Sequence, residues 1–81
     1  MLEINGDIFH FNENNFLHRE DGPSIEFKTG IKWWLKNGKL HREDGPAILN
    51  KKYKEYWVEG HKANEEEIKN IKRNYWIGKM T

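Results

Sequence analysis

Histidine, arginine and two carboxylates stand together twice in this chain, as His18-Arg19-Glu20-Asp21 and as His41-Arg42-Glu43-Asp44. Imidazole beside carboxylate can share general acid-base work or hold a metal ion. The spacing serves neither use well. On an extended strand His18 and Glu20 share a face about 6.6 Å apart, while Asp21 falls in the turn marked by Gly22-Pro23, so no single centre collects all three. Duplication points the same way, because a catalytic centre needs one asymmetric constellation and two identical sets suggest one turn built twice. In that reading Asp21 and Asp44 accept backbone N–H groups within their turns, and Arg19 and Arg42 pair with acidic neighbours across strands. The chain has no Gly-rich phosphate loop, nucleophile elbow or HExxH helix, and its only serine, Ser24, has no base fixed near it. These features predict a protein that is not an enzyme and uses no cofactor or metal.

The elements that must carry these residues follow from the same duplication. Leu17–Pro23 and Leu40–Pro46 are identical over seven positions, 23 residues apart. The period extends to Ile25/Ile48, Lys28/Lys51, Trp34/Trp57 and Lys39/Lys62, with a degenerate upstream copy placing Phe11 at the tryptophan position, which makes about two and a half units. Asn5-Gly6 and Asn37-Gly38 are hairpin turns, Thr29-Gly30 closes a unit, and Gly60 lies near the turn of the last. Pro23 and Pro46 donate no backbone hydrogen bond and belong at strand starts. At a period of 23, Trp33 matches Tyr56 and His10, and Trp34 matches Trp57 and Phe11. Alternation then predicts one sheet with an aromatic column on each face. After Ala63 the pattern becomes helical. Asn64 caps, Glu65, Glu66 and Glu67 suit the positive end of the dipole, Glu67 can complete a capping box, and Ile68, Ile71 and Tyr75 form one stripe. A helix over 64–76 is expected, and Trp76-Ile77-Gly78-Lys79 suggests a short added strand.

Eighty-one residues suit one domain, 1–81, that buries roughly 60–65% of its unfolded surface. With 36% hydrophobic residues, the large aromatics are the natural core candidates, and the expected core is Phe11, Trp34, Trp57, Ile68 and Ile71. If Trp34 and Trp57 are buried, truncating either to alanine costs about 3–5 kcal/mol. The chain has no cysteine, which fits a reducing compartment, and its first residues have neither a basic start nor an apolar run. The expectation is a soluble cytoplasmic protein without a membrane partner. Net charge is +1, but residues 1–31 hold 2 basic against 6 acidic side chains, and residues 32–63 hold 8 against 4. That asymmetry predicts a dipolar surface able to attract an acidic partner or nucleic acid, or to pair head to tail.

The segment from Trp33 to Ala47, Trp-Trp-Leu-Lys-Asn-Gly-Lys-Leu-His-Arg-Glu-Asp-Gly-Pro-Ala, resembles a divergent MORN repeat. It is similar to the variant MORN repeats of bacterial YwqK-type proteins, and units with His-Arg-Glu-Asp-Gly-Pro recur in small phage and bacterial proteins. The resemblance covers residues 9–62. It lacks the Tyr-x-Gly start and Gly-x-Gly end of the better known MORN pattern, with which lipid binding is associated. What it implies is a mainly β fold, an antiparallel β-meander of hairpin repeats closed here by one C-terminal helix, acting as an interaction surface. It further suggests a small phage or mobile-element inhibitor that binds and blocks a host defence enzyme, of anti-CRISPR or other anti-defence type. Trp33, Tyr56, His41, Arg42, Lys51 and Lys52 are the expected contacts with a host protein or nucleoprotein, and a homodimer is compatible with the same surface. The alternative is single-stranded nucleic-acid binding, because lysines interleave with Trp33, Trp34, Tyr53 and Tyr56 in the basic middle segment.

Overall fold

A computed structural model describes the backbone of residues 1–80 and the side chains of residues 1–74. Ten short strands precede one helix: β1 (Leu2–Ile4), β2 (Asp7–Phe9), β3 (Ile25–Glu26), β4 (Lys32–Trp33), β5 (Leu35–Lys36), β6 (Lys39–Leu40), β7 (Ile48–Leu49), β8 (Lys54–Glu55), β9 (Trp57–Val58), β10 (His61–Lys62) and α1 (Glu65–Met80). The chain is an antiparallel β-meander with a C-terminal helix. Six strands make one sheet in the order β1-β2-β3-β4-β7-β8, while β5-β6 and β9-β10 are separate hairpins. In the first unit the Phe11–Leu17 bridge builds the equivalent hairpin. Each unit therefore contributes two strands to the main sheet and one side hairpin.

The side hairpins stack through their turns. Asn37-Gly38 and Glu59-Gly60 are two-residue turns with positive φ at both positions (50° and 81°, 50° and 85°), the geometry whose twist matches the flanking strands. The N–H of Gly38 donates to Leu17 O at 2.9 Å and that of Gly60 to Leu40 O at 2.9 Å. Asn12 Nδ2 also donates to Asn37 Oδ1 at 2.8 Å, joining the first hairpin tip to the second.

Register defines the two faces of the main sheet, because residues directly opposite one another share a face. One row runs Leu2, Phe9, Ile25, Trp33, Ile48, Glu55; the opposite face carries Glu3, Ile8, Glu26, Lys32, Leu49, Lys54. Among the described residues the buried apolar ones are Ile25, Leu35, Ala47, Ile48 and Ile71. Trp33 packs edge-on against Phe27, with ring centroids 5.3 Å apart.

The aromatic columns expected from the strict period do not form, and loop lengths are the reason. Phe9, Trp33 and Glu55 hold equivalent places in the pairing, spaced by 24 and then 22 residues, although the motif repeats at 23. The β3-β4 connection closes with Phe27 N on Ile31 O, whereas the β7-β8 connection is one residue tighter, with Asn50 N on Tyr53 O. Trp34 therefore corresponds to His10 and Tyr56, and Leu35 corresponds to Phe11 and Trp57. Of the expected core, Phe11 is 43% exposed and Trp34, Trp57 and Ile68 are half-buried, while Ile71 is 3% exposed. Truncating Trp34 or Trp57 should then cost less than the about 3–5 kcal/mol of a filled core site.

In the last unit the backbone pairing sets Ala63 at the place of His41, so the chain reads Ala63-Asn64-Glu65-Glu66 where His-Arg-Glu-Asp would stand, and the helix begins there. Asn64 Oδ1 accepts the Glu67 N–H at 2.8 Å, and Glu67 Oε1 accepts the Asn64 N–H at 3.0 Å. This reciprocal cap satisfies two N–H groups that the first turn would leave open. The helix continues to Met80, so 76–79 form its last turn and not a strand. Tyr75, expected on its buried stripe, has its side chain outside the described residues. No helix among the described residues is long and apolar enough to cross a membrane.

The hydrogen bond from Asn64 N–H, aided by His61, holds the Glu67 carboxyl below the usual glutamate range. A depressed carboxyl stabilises the fold fully above its unfolded-chain pKa and loses that contribution as pH falls through the folded value. Glu67→Gln keeps an acceptor but removes the charge. We expect thermal melts of this variant to show a shallower loss of stability on acidification than wild type; equal slopes would rule out a charged cap.

Candidate functional site

The duplicated motif forms a turn whose histidine and arginine face inward while its carboxylates stay exposed. Arg19 Nε donates to Asp21 Oδ1 at 3.0 Å and Arg19 Nη1 to Pro23 O at 3.3 Å; Arg42 repeats this on Asp44 Oδ1 (3.0 Å) and Pro46 O (3.1 Å). The Arg19 guanidinium, hydrogen-bonded to Asp21, holds that carboxyl below its ordinary range. The histidines reach into the next unit. His18 Nδ1 accepts the Asn37 N–H at 3.1 Å, and His41 Nδ1 accepts the Glu59 N–H at 2.9 Å. Because Nδ1 accepts, a neutral ring carries its proton on Nε2, which lies 3.0 Å from Glu20 Oε1 in one copy and 3.5 Å from Glu43 Oε1 in the other. Each histidine thus clamps the turn of the neighbouring hairpin.

Gly45 makes this packing testable. A Cβ there would lie 2.7 Å from Arg42 Cζ, against 3.1 Å between Gly22 and Arg19 Cζ. Arg42 has little room to yield, since Asp44, Pro46 O and the Trp34 ring, 3.9 Å from Cζ, all hold it. Gly45→Ala should cost about 2–3 kcal/mol in urea unfolding, the scale of a charged hydrogen bond plus a cation–π contact, and Gly22→Ala under about 1 kcal/mol. Equal losses would show that the guanidinium is not locked.

Between the two copies of the motif lies a cleft of about 590 Å³, flanked by the exposed carboxylates of Glu20, Asp21, Glu43 and Asp44. No group of three or more His, Cys, Asp or Glu among the described residues is placed to hold a metal ion. Asn74 on α1 reaches the rim, donating from Nδ2 to Glu43 O at 3.0 Å.

The first cleft mixes its carboxylates with Arg19, Lys36 and Arg42, whereas a second groove, about 360 Å³, contains Lys32, Arg42, Lys54 and Lys72 beside Trp34 and Tyr56. The three equivalent ring positions each face a cation. Arg19 Nη1 lies 3.1 Å from His10 Nε2, Arg42 Cζ sits over Trp34, and Lys72 Nζ is 5.8 Å from the Tyr56 ring centroid. In the last unit the backbone pairing puts Asn64 at the arginine position, and the helix supplies Lys72 instead. Burial, then the Arg19 charge, lowers the His10 pKa and favours the neutral ring.

The expected contact residues divide accordingly. His41, its side chain 9% exposed, and Arg42 are built into the turn, so they are not free polar contacts. Trp33 is half-buried against Phe27, Tyr56 lines the basic groove, and Lys51 and Lys52 are exposed on the β7-β8 turn outside it. Lys72 was not among the expected contacts; its place on the helix, one position after the buried Ile71, is the signal that could have indicated it. No family model matches the chain, and no curated protein or solved structure shows detectable similarity to it.

Proposed function

We propose that the protein is a non-catalytic interaction module that docks a protein partner on the open end of its hairpin array. The observation that carries this reading is the asymmetry of its two sheet edges. At one edge, β8 is two residues long, carries Lys54 and Glu55, and follows Lys51-Lys52, the charged pattern that discourages strand addition. At the other, β1 pairs among the described residues only with β2 and presents Leu2 and Ile4, 46% and 50% exposed. Phe11 and Phe16 of the same unit are also exposed. Among the described residues α1 follows the last unit, while the first unit presents apolar side chains to solvent. Exposed aliphatic and aromatic anchors beside an unpaired edge suit a protein surface. The resemblance to small phage and bacterial proteins supports a specific form of this reading, stoichiometric occlusion of a host defence enzyme.

The test is affinity capture by the tagged protein from nuclease-treated bacterial lysate, run beside Leu2→Lys/Ile4→Lys. One stoichiometric protein retained by wild type and lost by the variant is expected. Retention by both would remove β1 from the reading. A wild-type dimer in light scattering that the variant dissolves would make this end a self-interface and overturn the partner proposal.

A further inference from the structure

We infer that the groove between the β4-β7-β8 face and α1 binds a nucleotide unit, with a base against its rings and a phosphate on its lysines. This goes beyond the docking end proposed above and does not depend on it. Lys32, Leu49 and Lys54 form one cross-strand row, so the two ammonium groups flank Leu49 from strands about 10 Å apart. Lys72 closes the groove from the helix side, and Trp34 and Tyr56 provide aromatic surface.

Charge decides what fits. Among the described residues, those lining the groove include no carboxylate, and no ion pair engages Lys32, Lys54 or Lys72. Arg42 is partly neutralised by Asp44. Glu26 stands opposite Lys32 in register, but its carboxylate faces Arg19 at 4.0 Å. Lys72 is held near a ring face, and attraction to a π system leaves its charge available to an anion. Cations beside aromatic rings are the combination that single-stranded nucleic-acid sites use. A volume of about 360 Å³ falls in the range of small-ligand sites, about 300–1,000 Å³.

A free nucleotide and a single strand present the same chemistry, and the experiment separates them. Fluorescence anisotropy of a labelled twelve-residue oligothymidylate is measured with the full chain at 50 mM salt, with thymidine monophosphate as competitor. Three lysine–phosphate contacts predict a log–log salt slope near about −2, or roughly a twentyfold loss of affinity between 50 and 200 mM salt. Lys32→Glu/Lys54→Glu, both exposed, should weaken binding at least about tenfold while the protein stays folded at the assay temperature, although the carboxylate placed opposite Glu26 lowers the melting temperature, and Tyr56→Leu should weaken binding about fivefold or more. Lys51→Glu/Lys52→Glu, outside the groove, should stay within about threefold of wild type. Displacement by the mononucleotide at matching affinity assigns the site to free nucleotides; failure to displace assigns it to a strand. Absence of binding to either probe, or equal losses in the two lysine pairs, overturns the proposal.

Discussion

Leu35→Ala is expected to lower the unfolding free energy by about 3 kcal/mol, and Phe11→Ala, at the equivalent position of the first unit, by only about 1 kcal/mol. Leu35 is 7% exposed and Phe11 is 43% exposed. The middle unit has neighbours on both sides, whereas Phe11 belongs to the unit at the open end. Leu35 is also held by its backbone, since Ser24 Oγ accepts its N–H at 2.9 Å and donates to its carbonyl at 2.9 Å. Its side chain cannot collapse towards the space that truncation leaves, so the cavity term should appear in full. Urea titrations followed by tryptophan fluorescence measure both values. A loss under about 1 kcal/mol for Leu35, or equal losses for the two variants, would mean that the middle unit encloses Leu35 no better than the open end encloses Phe11.

That equivalence is where the sequence was hardest to read. The seven-residue identity revealed the hairpin array, and Asn5-Gly6, Asn37-Gly38 and Gly60 marked turns that are present. The capping box at Asn64 was legible because it needs only local spacing. The pairing of Trp34 with Trp57 was a false coincidence of type and period. A repeat length counts residues between motifs, but register depends on how many residues each intervening turn takes up, and the β3-β4 and β7-β8 turns differ by one. One residue on a strand reverses the face a side chain occupies. The same slip hid the column of His10, Trp34 and Tyr56 and the cation that accompanies each ring. His41 and Arg42 carry the chemistry of contact residues, and the fold engages that chemistry with the Glu59 N–H, Asp44 and Pro46 O.

Ile71→Ala should separate the helix from the array, with a loss of about 3 kcal/mol. An isolated helix of the length of α1, 16 residues, is marginal in water, so packing must hold it. Among the residues with described side chains, that packing rests on Ile71, which is 3% exposed, and on half-buried Ile68. Asn74 adds a hydrogen bond to Glu43 O, and the Asn64–Glu67 cap supports the first turn without docking it. Far-ultraviolet ellipticity at 222 nm reports the helix. In a Trp76→Phe background, tryptophan fluorescence reports Trp33, Trp34 and Trp57 of the hairpins alone. In Ile71→Ala the ellipticity transition should precede the fluorescence transition in urea, whereas wild type should show them coincident. Undocking also removes Lys72 from Tyr56, so oligonucleotide affinity should fall in step with helix content if the groove binds as inferred. Ile71→Leu, which conserves volume, should lose under about 1.5 kcal/mol and keep both transitions together. Coincident transitions in Ile71→Ala with a small loss would instead place the helix's attachment elsewhere along its length.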